Sequence, residues 1–258
     1  KMITQATDST TAGVILGEVG WFEIETYIIE RMLNYFGRLL RLQSSDPNRW
    51  VVVVAEEMFK RVADGLPSTE WAGVIVSMIQ HYDLDPLDFM TMPKSTFKET
   101  IKKKVGEGAI ADWKESLEGK STLRFYRDAK DAPKWEPYLN GSKKAKLLFE
   151  ARAGTLKVNW FTRNWGKPKS PVCPVCKMEA EDIEHLLIRC TGFTILREEL
   201  VERLEDEGWL LDRSSTPFDQ AKQLLGLGDW VAYDYRYITD FLATVWEKRA
   251  EQMSGNES

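Results

Sequence analysis

Histidine and cysteine are the scarce residues of this 258-residue chain, with two of the first and three of the second. So few histidines leave general acid–base work near neutral pH with few candidates. Also missing are a glycine-rich phosphate loop, a Gly-x-Ser-x-Gly elbow and a carboxylate cluster of the kind that holds magnesium. Asp234 stands among Trp230, Tyr233, Tyr235 and Tyr237 without a second acid at useful spacing. The expectation is a protein with no catalytic residues and no small-molecule substrate. Long apolar runs are absent as well. The longest, Trp50 to Ala55, is far too short to span a bilayer, and no charged-then-apolar leader is expected, so neither is a membrane role. Strand signals are nearly missing, with only Thr155–Phe161 able to extend, and there is no internal repeat or low-complexity segment. An all-α protein is therefore expected.

What is there is globular in composition, with 43% apolar and 29% charged residues and ten tryptophans, enough chain for one large core or two smaller ones. All three cysteines and one histidine fall within eighteen residues, as Cys173-Pro174-Val175-Cys176, eight residues, His185, four residues and Cys190. Two cysteines three apart reach one ion from a single tight turn. His185 and Cys190 then close a tetrahedron from a following segment that Ile183, Leu186 and Leu187 mark as a short helix. Three thiolates and one imidazole suit zinc, and four protein ligands leave no open position for catalysis. One structural zinc on Cys173, Cys176, His185 and Cys190 is expected, folding a segment too small for a core of its own. Glu179, Glu181, Asp182 and Glu184 are candidates to orient the free ring nitrogen of His185. Cysteines at zinc spacing favour a reducing compartment, nucleus or cytoplasm.

Charge is polarised. The chain carries a net charge of −5, yet residues 120–169 hold thirteen Lys and Arg against four Asp and Glu. Such a block presents a cationic surface despite an acidic average. Within it, Lys143, Lys144, Lys146, Arg152, Lys157, Trp160, Arg163, Trp165, Lys167 and Lys169 combine cations for phosphates with flat rings for bases, as nucleic-acid binding requires. Taken singly, Trp160, Phe161 or Trp165 reads better as core, with the lysines merely solubilising. The cluster beside a zinc knuckle favours RNA or DNA binding.

Helical periodicity organises the rest. A helix is expected from Phe22 to about Leu42 with Ile28, Met32, Phe36, Leu39 and Leu40 on its apolar face and Arg31, Arg38 and Arg41 on a polar stripe. A second follows from Trp50 to about Ala63, and a third, capped by Ser68, runs to an ordinary helix-end His81. Another begins near Ser95 and is expected to break in two at Gly106 and Gly108. Further helices are read from Lys143 to about Ala153, from Phe193 to Leu204, up to about Gly226, and through Ile238, Phe241, Leu242, Val245 and Trp246. The expected organisation is a disordered lead-in at 1–12, an N-terminal helical region at 13–118, a basic aromatic-rich region at 119–170, the zinc knuckle at 171–192, C-terminal amphipathic helices at 193–250 and a frayed tail at 251–258. Lys1 ahead of Met2 suggests a fragment of a longer chain.

The order of these features resembles a known family. Leu16-Gly17-Glu18-Val19-Gly20-Trp21, Phe36-Gly37-Arg38-Leu39-Leu40-Arg41, Leu123-Arg124-Phe125-Tyr126 and Glu136-Pro137-Tyr138-Leu139 precede the Cys-Pro-Val-Cys turn, His185-Leu-Leu-Ile-Arg-Cys190 and Leu196-Arg197-Glu198-Glu199-Leu200. Together they resemble the helical region and CCHC zinc-binding knuckle that follow the reverse transcriptase in non-long-terminal-repeat, LINE-type, retrotransposon polyproteins. The likeness spans about residues 13–250. It implies contact with template RNA or target DNA during target-primed reverse transcription. The paired aspartates of the polymerase and any endonuclease signature are absent from this sequence, so catalysis does not carry over. A domesticated protein–protein interaction module with the same structural zinc is the alternative.

Overall fold

A computed structural model describes residues 11–66, 71–165, 170–227 and 234–254. The protein is all-α. Among the described residues, the only β-type pairings are two isolated antiparallel bridges, Val19 with Trp135 and Val172 with Ala180. The helices are α1 (Ala12–Val19), α2 (Ile24–Ser45), α3 (Trp50–Ala63), α4 (Trp71–His81), α5 (Asp88–Thr91), α6 (Lys94–Leu117), α7 (Arg124–Arg127), α8 (Lys143–Arg152), α9 (Asn159–Thr162), α10 (Thr194–Asp206), α11 (Pro217–Leu224) and α12 (Tyr235–Ser254). They fall into two compact units. One comprises Phe22–Glu115, and the other joins the chain up to Trp21 with Ser116 onward.

In the Phe22–Glu115 unit, Leu33, Phe36, Ile75, Leu84, Phe89, Phe97, Ile101 and Val105 form the core. The α2 face is rotated from the one expected: Leu33 is fully buried and Ile28 is exposed. Gly37 fixes this register, because a Cβ there would sit 2.5 Å from the Phe97 ring. Gly106 and Gly108 do not break α6, which is continuous. Each helical glycine costs about 1 kcal/mol relative to alanine, and burial of Phe97, Ile101, Val105, Ala109 and Trp113 along α6 outweighs that cost. Gly108 also has a packing role, since a Cβ there would lie 2.6 Å from the Tyr82 ring. Arg41, expected on a solvated stripe, donates to the Phe89 carbonyl at 3.2 Å and lies over the Phe97 ring. His81 packs edge-on against Tyr82. Ser68, the expected cap of α4, lies outside the described residues.

In the other unit, α8 and α10 pack on α12. Ile238, Phe241, Leu242 and Val245 bury one face of α12, and Leu148, Phe149 and Ala151 bury one face of α8. The end of α1 is stitched to residues 134–136: Lys134 N–H donates to Gly17 O at 2.9 Å and Glu136 N–H to Glu18 O at 3.0 Å. Gly20 has φ +69°, and a Cβ there would meet the Trp135 nitrogen at 2.5 Å, so only glycine allows this approach. The stitch lowers Glu18 into a buried cluster. Arg152 Nη2 donates to Glu18 Oε1 at 3.1 Å and lies 3.3 Å from Glu136, Lys130 bonds both carboxylates, and the Tyr138 hydroxyl donates to Glu18. Tyr235 Oη closes the cluster on Glu136 at 2.7 Å.

Two expectations change here. Thr155–Phe161 forms no strand: residues 155–158 are irregular and α9 begins at Asn159. Residues 251–254 belong to α12, and 255–258 lie outside the described residues, as do 1–10 of the expected lead-in. No helix among the described residues is long and apolar enough to cross a membrane.

Candidate metal centre

Residues 171–181 form a short hairpin-like loop. Cys173 N–H donates to Glu179 O at 2.8 Å, Glu181 N–H to Pro171 O at 2.8 Å, and Lys177 N–H back to Cys173 O at 3.0 Å. Lys177 closes the turn at φ +58°, a left-handed conformation disfavoured by roughly 1–2 kcal/mol for a non-glycine residue. The tight Cys-Pro-Val-Cys turn aims both thiols inward. The second pair of ligands comes from one wide turn, His185–Arg189, instead of a regular short helix. Its defining bond runs from Cys190 N–H to His185 O at 2.7 Å. In an α-helix, residues five apart point roughly 140° away from each other. A turn bonded between residues five apart restores the register and puts His185 and Cys190 on one side. Asp182 starts the turn by accepting the His185 N–H at 2.6 Å.

The four ligand atoms of Cys173, Cys176, His185 and Cys190 all lie within 4.8 Å of one another. Cys173 Sγ and Cys190 Sγ are 3.8 Å apart, and Cys176 Sγ and His185 Nε2 are 3.4 Å apart. Zinc–sulfur and zinc–nitrogen bonds of about 2.3 and 2.0 Å in a tetrahedron give edges of about 3.8 Å between sulfurs and about 3.5 Å between sulfur and nitrogen. The donor set and its spacing therefore fit one tetrahedral metal ion, with zinc the ion that this chemistry favours. Cys173, Cys190 and His185 are buried, and Cys176 is half-buried.

The charge pattern points the same way. The hydrogen bond from Cys190 holds the Cys173 thiol down to about 3, and the same bond pushes the Cys190 thiol far up. Burial works against the His185 imidazolium, but the bond to Cys173 and the thiolate charges outweigh it and raise the ring to about 9. Three groups competing over protons in one buried spot are relieved by a dication.

Glu179 is the carboxylate that reaches the imidazole, with Oε2 3.4 Å from Nδ1. This arrangement keeps the proton on Nδ1 and leaves Nε2 free for the metal. Arg189 Nε bonds the same Glu179 oxygen at 3.1 Å, and its other nitrogens bond Asp182 and Glu184 at 3.0 and 3.2 Å. Glu181 does something else. Its carboxylate is fully buried and pairs with Arg249 of α12, while accepting the Asn159 N–H at 2.7 Å. The Glu181 carbonyl also accepts the Trp160 N–H at 3.0 Å. The start of α9 is thus built on the knuckle. Sequence patterns gave no sign of this, because Arg249 is 68 residues away.

The residues singled out for nucleic acid divide into groups. Lys157, Trp160, Arg163 and Trp165 come together around α9. Arg163 lies 3.7 Å from the Trp160 ring centre, Lys157 lies 5.9 Å from that of Trp165, and Trp165 meets Phe161 edge-on. Lys143 and Lys144 sit at the start of α8, whose ten residues span about 15 Å. Lys144 is paired with Asp240 at 2.6 Å, and Lys146 lies 3.8 Å from Glu150. Arg152 is removed from the set. It is 1% exposed, and its guanidinium is held by Glu18 and Glu136, so it cannot reach a phosphate. Lys167 and Lys169 lie outside the described residues. No family model matches the chain, and no significant match was found among curated proteins or solved structures.

Proposed function

We propose that this chain is a non-catalytic, zinc-containing module that binds nucleic acid through the surface around α9, beside the knuckle. The carrying observation is that Trp160 and Trp165 each keep 46% of their surface exposed while a cation lies over each ring. Large rings left in solvent beside cations suit base stacking with phosphate neutralisation, and each stacked base contributes about 1–3 kcal/mol. The motif order seen in the sequence makes template RNA or target DNA, contacted during target-primed reverse transcription, the proposed setting.

A separate observation favours a second reading, a protein-interaction module. In the Phe22–Glu115 unit, α3 leaves Trp50 75% exposed, with Val53 and Val54 exposed beside it. Apolar residues grouped on one helix in this way are a common mark of a protein contact. Salt separates the readings. Titration of the zinc-loaded chain with a structured RNA and a duplex DNA should give binding that falls with salt, with a log–log slope near about −0.9 per duplex phosphate contact and about −0.7 per single-strand contact. Absence of binding at low salt would reject the nucleic-acid reading and turn attention to α3.

A further inference from the structure

Beside α9 lies an open cavity of about 590 Å³, within the roughly 300–1,000 Å³ of small-ligand sites. It is lined by Trp160 and Phe161 of α9, by Arg163 just after that helix, by Ser121 and Arg124, and by Asp182 of the knuckle. Gly154, which also lines the cavity, has φ +65°, and a Cβ there would sit 1.9 Å from the Thr122 carbonyl oxygen. The two segments meet this closely only because no side chain intervenes.

The lining is mixed in a specific way. Two guanidinium groups favour an anion. Arg124 is also held by Glu184 and lies over Phe125 and Phe218, which fixes it in place. Asp182 adds a carboxylate to the lining, which disfavours a bare phosphate. Its Oδ1 is taken by the His185 N–H and Arg189, and Oδ2, bonded to Arg189 at 3.2 Å, keeps a lone pair for an N–H donor of a ligand. Flat rings add a stacking surface. A nucleotide has all three parts: phosphate, base edge and base face. A base paired inside a duplex cannot enter a concave site, whereas an unpaired one can.

We infer that this cavity takes one unpaired nucleotide of a single-stranded nucleic acid, with its base against Trp160 and Phe161 and its phosphate at Arg163. This rests on the nucleic-acid reading above and gives it a ligand form and a location.

The test compares a labelled oligothymidylate with an abasic strand of the same length and charge, using the zinc-loaded full chain. Oligothymidylate should bind tighter by about 5- to 150-fold, the contribution of one stacked base. Ser121→Trp, which fills the cavity from an exposed position and removes no cation, should lower oligothymidylate binding to the abasic level. Trp160→Ala, also at an exposed position, should do the same. Equal binding of the two strands by the unaltered protein would overturn the cavity proposal and leave a phosphate-only surface. So would a folded Ser121→Trp protein with undiminished affinity. Failure of every strand to bind at low salt would overturn both the cavity and the nucleic-acid reading.

Discussion

Arg249 of α12 grips Glu181 of the knuckle with two nitrogens, Nε to Oε1 at 2.7 Å and Nη2 to Oε2 at 2.8 Å, both side chains being buried. The same guanidinium bonds Asn159 Oδ1 at 2.9 Å, and Glu181 holds the N–H of Asn159. One carboxylate therefore ties the loop that carries Cys173 and Cys176, the start of α9 and the C-terminal helix together. Removing either partner leaves a buried charge uncompensated, which typically costs about 3–5 kcal/mol. Arg249→Ala and Glu181→Ala should each destabilise the protein by that order. The double variant should cost clearly less than their sum in a denaturant-based double-mutant cycle. Additive losses would show that the pair is not coupled.

The metal should act locally. Chelation, or Cys176→Ser, is expected to expose the amides of residues 171–192 to hydrogen exchange and to loosen Asn159 and Trp160, which hang on Glu181. Helices of the Phe22–Glu115 unit should keep their protection, because their core is their own. Uniform loss of protection across both units would contradict this.

Arg152 is expected to matter for folding and not for binding. Arg152→Ala would leave Glu18 and Glu136 with only Lys130 between them in a buried site, at an expected cost of about 3–5 kcal/mol. Lys144→Ala breaks only an exposed pair with Asp240 and should cost no more than about 1 kcal/mol. Thermal unfolding of the two variants decides the matter, and equal midpoints would refute the assignment.

The same cluster sets a pH dependence. Burial alone would lift the Glu136 carboxyl, but the Arg152 and Lys130 charges and the bonds from Lys130 and Tyr235 outweigh it and hold it below its ordinary value of 4.5. A depressed carboxylate contributes stability that is present above its unfolded value and lost as pH falls through the folded one. Unfolding free energy should therefore fall below about pH 4.5, and Glu136→Gln should flatten that part of the profile. Glu150 works in the opposite sense, since burial raises its carboxyl. The difference between wild type and Glu136→Gln isolates the Glu136 contribution, and parallel profiles would rule it out.

The clustering of Cys173, Cys176, His185 and Cys190 was legible in the sequence because metal chemistry would confine four such groups to a short window, and few other pressures put every cysteine there. Most helices were legible from apolar spacing. What failed has a common cause, which is partners distant in sequence. The break expected at Gly106 and Gly108 ignored Tyr82, which needs the space at Gly108. Ile28 was assigned inward because spacing alone cannot tell which of two overlapping apolar faces meets the core, and the Gly37–Phe97 contact chose the other. Arg152 looked like one more cation of a basic block until Glu18, 134 residues earlier, was found against it. The motifs Leu16–Trp21 and Glu136–Leu139 were noted only for their order. Their physical role is to deliver Glu18, Glu136 and Tyr138 to one buried cluster.

The measurement that bears most directly on the whole account is metal content, by elemental analysis of purified protein and by optical spectra after cobalt substitution. One zinc per chain is expected, with intense visible bands of tetrahedral cobalt and thiolate charge transfer. Both should be lost in Cys173→Ser and in His185→Ala. A folded protein that holds no metal, or a cobalt spectrum of six-coordinate type, would contradict the site on which α9 and its surface are built.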